Sequence, residues 1–103
     1  MESRISYFER MLERDPENPT GLLALANEYE KARRPEDVVR VLRRYIASHE
    51  DEGNAYARLG EALVEFGREE EAKEVYRRGI ERALAHEHGE LAGEMRLALE
   101  QLE

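Results

Sequence analysis

Apolar residues recur along this chain at intervals of three and four. Leu22, Leu25, Ala26 and Tyr29 fall at i, i+3, i+4 and i+7, the spacing that gathers side chains on one face of a helix. Val38, Val41, Leu42, Tyr45 and Ile46 repeat the pattern. Tyr56, Leu59, Gly60 and Leu63 follow, and then Ala72, Val75, Tyr76 and Ile80. Strict alternation never runs long enough for a strand, so the pattern predicts an all-α chain.

The polar punctuation separates these faces into short helices. Asn18-Pro19 reads as an N-cap followed by proline at the first helical position. Arg33-Arg34-Pro35 ends one helix and opens the next, with Glu36 and Asp37 placed for the positive end of its dipole. Asp51 is expected to cap the third helix, and Gly67 to close it in the left-handed conformation. Glu69, Glu70 and Glu71 then open the fourth. Links of a few residues force neighbouring helices to run antiparallel.

The ends depart from this middle. Residues 1–16 hold Ile5, Phe8, Met11 and Leu12 on a short amphipathic helix that stops at Asp15-Pro16. Leu91, Met95, Ala98 and Leu102 form a stripe on a final helix. That last helix is expected to close the structure as a cap. The alternatives are a continuation of the fourth helix past Gly89 and an exposed dimerisation helix.

The faces also repeat as a set. A shift of 34 residues lays Leu25 on Leu59, Val41 on Val75, Arg44 on Arg78 and Ile46 on Ile80. It brings Ala26 onto Gly60, Val38 onto Ala72 and Leu42 onto Tyr76. A period of this size marks supersecondary units too thin to bury their own apolar faces. The expected division is a half unit at 1–18, whole units at 19–52 and 53–86, and a cap at 87–103. In the 34-residue frame Phe8 matches Leu42 and Tyr76, so the first helix corresponds to the second helix of a unit.

These residues resemble the tetratricopeptide repeat. The segment 53–86 carries Tyr56-x2-Leu59-Gly60-x2-Leu63, then Gly67, Ala72, Tyr76 and Ile80, at that family's aromatic, Leu-Gly, large apolar, turn, small and aromatic positions. The segment 19–52 carries Leu22, Leu25-Ala26, Tyr29, Val38, Leu42 and Ile46. Phe8 with Asp15-Pro16 matches the family's ending, so the resemblance covers residues 4–86. Departures are Arg33 for the turn glycine, Val38 for the small residue, and Glu50 and Leu84 for the terminal proline. Leu84 implies that the fourth helix runs on towards His86. The resemblance implies a right-handed array of about six helices. Gly60 and Ala26 would sit where two helices of a unit meet, and Ala72 would face a neighbouring unit's helix.

The resemblance further implies a non-catalytic module, scaffold-like or co-chaperone-like, that binds a peptide or protein in a concave groove lined by the first helix of each unit. Asn27, Glu30 and Lys31 of the first unit and Asn54, Arg58, Glu61 and Glu65 of the second are placed on that face. Some relatives clamp a carboxylate there; Asn27 matches one clamp asparagine, but Leu23 and Arg58 replace its partners, which speaks against that mode. The different-class alternative is self-assembly as a homodimer through the Leu91–Leu102 stripe or the N-terminal helix.

Composition narrows the chemistry. Over 103 residues, 24 acidic and 16 basic side chains give a net charge of −8, which repels nucleic acid and anionic membranes. With no cysteine, disulfides and thiolate chemistry are excluded. The start has no apolar signal core and no run approaches a membrane span, so a soluble, cytoplasmic protein is expected. Arg10, Arg44 and Arg78 occupy equivalent positions, but the i,i+4 pairs Glu36–Arg40 and Glu74–Arg78 point to ordinary surface pairing. His86 and His88 near Glu90 and Glu94 do not share a helix face, so no metal and no cofactor are expected. His49 is isolated. Tyr7, Tyr29, Tyr45, Tyr56 and Tyr76 read as core or groove-wall residues. Serine is confined to Ser3, Ser6 and Ser48, and no nucleophile elbow or phosphate loop is present. Catalytic residues are therefore not assigned.

Overall fold

Six helices follow one another through short links: α1 (Arg4–Arg14), α2 (Pro19–Lys31), α3 (Pro35–Ser48), α4 (Asn54–Glu65), α5 (Glu69–Ala85) and α6 (Gly89–Leu102). The computed structural model describes residues 3–103. Met1 and Glu2, assigned above to the half unit, lie outside the described residues. No strand occurs among the described residues, as the 3.6-residue periodicity requires. No helix among them is long and apolar enough to cross a membrane.

The chain divides into two units, Met1–His49 with α1–α3 and Glu50–Glu103 with α4–α6. In the first, α2 packs on α1 and on α3; in the second, α5 packs on α4 and on α6. Side-chain oxygens begin three of the helices, the first being Ser3 Oγ, which accepts the Ser6 amide at 3.1 Å at the start of α1. Asn18 Oδ1 accepts the Gly21 amide at 2.9 Å, and Pro19 occupies the first turn where no amide is needed. The Asp51 carboxylate, 9% exposed, accepts the amides of Gly53 and Ala55, each at 2.8 Å. Both amides would otherwise lack partners at the start of α4.

Three helices end in the same turn. The Arg34 amide donates to the Tyr29 carbonyl at 3.0 Å, Arg68 to Leu63 at 2.7 Å and His88 to Ala83 at 2.7 Å. The residue before each is left-handed: Arg33 (φ 57°), Gly67 (φ 79°) and Glu87 (φ 62°). Glycine takes this conformation freely, whereas arginine and glutamate are strained in it. The third turn closes α5 at Ala85, so the fourth helix does run past Leu84 and α6 is separate from it.

Polar groups tie the helices of the first unit. The Tyr29 hydroxyl donates to Glu9 of α1 at 2.8 Å and accepts from Arg40 of α3 at 3.4 Å. Arg4 pairs with Glu28 at 3.0 Å. Arg44 donates to the Pro16 carbonyl at 2.8 Å, and the His49 ring reaches the Glu17 carbonyl. Around these bonds lie the buried Leu12, Leu22, Leu25, Val38, Val41 and Leu42.

Missing side chains bring the helices of the second unit together. A Cβ at Gly60 would fall 2.5 Å from the Tyr76 ring, confirming that α4 and α5 meet there. A Cβ at Gly79 would fall 2.6 Å from Met95 Sδ of α6 and 2.7 Å from Tyr56 Cβ of α4. The approach of α5 to α6 thus occurs at Gly79; Ala72 is itself fully buried.

Several sequence expectations change. The final stripe faces inward, which sets aside the alternative of an exposed helix while leaving the expected cap: Met95 is 1% and Ala92 0% exposed, with Leu91, Ala98 and Leu102 half-buried. A shift of 34 lays Leu59 and Gly60 on Gly93 and Glu94, whereas a shift of 36 lays Tyr56, Leu59 and Leu63 on Ala92, Met95 and Leu99. The longer α5 and its tight turn insert the difference. Tyr7 is not a core residue; it is 52% exposed, with its ring edge against Phe8. Arg40 pairs with Asp37 at 3.1 Å, three residues away, where the sequence suggested Glu36.

Candidate functional site

The close approach at Gly60 has a consequence on the surface. Because no Cβ intervenes, the Tyr76 ring lies against the α4 backbone, and α4 and α6 stand on either side of it. Between them is a cleft of about 310 Å³ lined by Glu61, Val64 and Glu65 of α4, Tyr76 of α5, and Ala98, Gln101 and Leu102 of α6. This is the small end of the range for ligand pockets, large enough for one long side chain and shallow enough for the rest of a polypeptide to lie outside.

The lining is apolar at the base and acidic at one edge. Tyr76 is 3% exposed. Burial first, and then the neighbouring Glu61 charge, raise its pKa above the ordinary tyrosine value, so the phenol stays protonated at neutral pH. Tyr29 in the first unit is also raised, by burial and then by its hydrogen bond to Glu9. The two tyrosines differ in that Tyr29 is bonded to a carboxylate, whereas Tyr76 is only near one.

Of the residues assigned from sequence, Glu61 and Glu65 are exposed and share this cleft. Asn54, exposed in the first turn of α4, and Arg58, half-buried, do not line it. On α2, Asn27 and Lys31 are exposed and Glu30 is half-buried; Lys31 lies 3.5 Å from Glu28. Sequence reasoning missed Val64 and Gln101 as lining residues and named Tyr76 only as a core or groove-wall residue. It named Ala98 and Leu102 only as packing positions. The signal for them was the offset of 36, which makes α6 an equivalent of α4 and therefore its opposite wall.

The arginine positions have local duties. Arg44 holds the Pro16 carbonyl, and the Arg78 guanidinium lies 5.5 Å from the centre of the Tyr56 ring. Arg10 lines a second concavity, with Tyr7, Met11 and Arg14 on α1 and Asp15 just after it. His86 and His88 are exposed in the α5–α6 turn. Among the described residues no three metal-ligating side chains converge.

The comparisons bear on the segment that supplies most of this cleft. Residues 53–86, from the start of α4 to the end of α5, match the family model for the tetratricopeptide repeat. No curated protein matches the chain. Over residues 53–86 the chain therefore carries a tetratricopeptide repeat, a kind of repeat that in general serves protein interaction.

Proposed function

We propose that this chain is a non-catalytic recognition module, a scaffold or adaptor whose first-helix surfaces bind a peptide or protein segment. The observation that carries the reading is the α4–α6 cleft, partly apolar and open, on a segment of an interaction-repeat family. Residues 19–52 read as a second repeat, since Arg33 and Gly67 occupy the same left-handed turn 34 residues apart. On this reading 1–18 is a half repeat and 87–103 a cap whose helix doubles as a cleft wall. Glu61 and Glu65 contact the partner at the cleft, Asn54 and Arg58 extend the surface along α4, and Asn27, Glu30 and Lys31 offer the corresponding face of α2.

A pull-down from cell extract tests it. Wild-type bait is expected to recover a protein that is lost with Ala98→Gln and Glu65→Lys combined. Recovery unchanged by that pair, and also by Asn27→Ala, Asn54→Ala and Arg58→Glu, would reject the reading.

Self-association is the second reading, favoured by two exposed leucines of the second unit: Leu84 at 47% and Leu97 at 62%. Light scattering on Leu97→Glu tests it, since a dimer built on that surface dissociates and a wild-type monomer excludes it. Met95→Glu is unsuitable, because Met95 packs at Gly79 and its loss would disturb the fold.

A further inference from the structure

Three large apolar side chains are exposed among the described residues: Tyr7, Leu84 and Leu97. Two of them centre an outward helix face, one on the first helix and one on the last. On α1, Tyr7 is 52% exposed and shares its face with the half-buried Met11 and the exposed Arg14, around a concavity of about 280 Å³. Arg10 at the edge of this face is already engaged within the chain, and Asp15 accepts from Asn18 at 3.1 Å. Arg14 has no ion pair among the described residues. On α6, Leu97 is 62% exposed and is flanked by the exposed Glu90, Glu94 and Glu100. These carboxylates also have no ion pair among the described residues. A Cβ at Gly93, one turn before Leu97, would meet nothing within 4 Å. None of these α6 residues lines the α4–α6 cleft.

The two faces match when laid antiparallel. Tyr7, Met11 and Arg14 are spaced by four and three residues, and Leu97, Gly93 and Glu90 have the same spacing read backwards. Seven residues rise about 10.5 Å along a helix. Tyr7 set on Leu97 therefore brings Met11 over the open Gly93 and Arg14 opposite Glu90, with Glu94 one turn further on. Like faces do not match. Two α6 faces would oppose glutamates, and two α1 faces would gather arginines. Each copy carries a net charge of −8, so copies meet closely only where facing charges differ in sign. We infer that the chain self-associates through unlike faces, α1 of one copy seated antiparallel on the outer face of α6 of another. The inference rests on the self-association reading and names its two surfaces.

Light scattering and sedimentation test it up to about 1 mM chain, because two short helices make a contact smaller than a tight interface. Circular dichroism melting shows that each variant is folded. The wild type is expected to gain mass with concentration, and Tyr7→Glu and Leu97→Glu each to remain monomeric. Tyr7→Glu keeps a sound α6 and Leu97→Glu a sound α1, so their equimolar mixture should form a heterodimer. Arg14→Glu and Glu90→Arg should each weaken association about threefold or more, and both in one chain should restore it. A wild type that stays monomeric throughout would overturn self-association altogether. Association that survives Tyr7→Glu or Leu97→Glu alone, or a mixture of the two that stays monomeric, would overturn this seam while leaving self-association by other surfaces. A double charge reversal no tighter than the single ones would do the same.

Discussion

The two units are built from the same kind of helix in opposite order, and they cohere by different means. The first places one first-type helix, α2, between α1 and α3, and joins them with polar side chains: Tyr29 to Glu9 and Arg40, Arg4 to Glu28, Arg44 to Pro16. The second places α5 between two first-type helices, α4 and α6, and joins them where side chains are missing, at Gly60 and Gly79. Glycine contacts are steep, because backbone and ring must part to admit any Cβ. Polar ties between partly exposed groups are shallower, each contributing about 1 kcal/mol. The difference also sets apart the unit that carries the α4–α6 cleft. Only a pair of first-type helices flanking one second-type helix leaves a cleft between equivalent faces, and in the second unit Gly60 provides its floor by admitting Tyr76.

The largest test of this contrast is Gly60→Leu. The new side chain meets the Tyr76 ring at its first carbon, and we expect a loss of about 3 kcal/mol by thermal or denaturant unfolding. Ala26→Leu at the equivalent position of the first unit should also destabilise, since Ala26 is fully buried. A melting temperature unaltered by Gly60→Leu would break the glycine account of the second unit.

Next in size is the start of α4. Asp51→Ala leaves two amides without their acceptor at a buried site, with an expected cost of about 2 kcal/mol. Asn18→Ala, which removes one capping bond to Gly21 and an exposed bond to Asp15 at a more open site, should cost about half of that. Equal losses would show that burial of the cap is immaterial here.

The tyrosines sharpen the comparison at about 1 kcal/mol. Tyr29→Phe deletes a hydroxyl bonded to Glu9 and should cost that amount, whereas Tyr76→Phe should be close to neutral. Equal effects in urea titrations would mean that the polar ties do not distinguish the units. The smallest effect is a gain. Arg33→Gly relieves a left-handed arginine and should stabilise by about 0.5–1 kcal/mol, while Gly67→Ala at the matching turn should destabilise by a similar amount.

Much of this was legible in the sequence because local rules act on single residues. Asn18, Pro35 and Asp51 mark helix starts by side-chain chemistry alone, and Gly67 marks a stop. Gly60 was legible through the repeat, since Ala26 occupies the same position. Gly79 was not: its partner in the 34-residue frame is Tyr45, so the repeat gave no hint of a close approach there. The position of α6 was hidden for a related reason. The longer α5 and its shorter turn shift the face of the next helix by two residues, and a fixed period cannot register such a change. Hence Met95 was read as part of a stripe and not as a core residue, and Ala98, Gln101 and Leu102 were not recognised as the wall opposite α4. The pairing of Arg40 with Asp37, and of Arg44 with a backbone carbonyl, depends on rotamers and neighbouring loops that helical spacing does not encode.

The account centres on the α4–α6 cleft, and amide chemical-shift mapping with a peptide selected from a random display library tests it most directly. The largest shifts are expected at Glu61, Val64, Glu65 and Tyr76, and across the helix link at Ala98, Gln101 and Leu102. Shifts confined to α1, α2 or α3, with α4 and α6 unmoved at saturation, would contradict it.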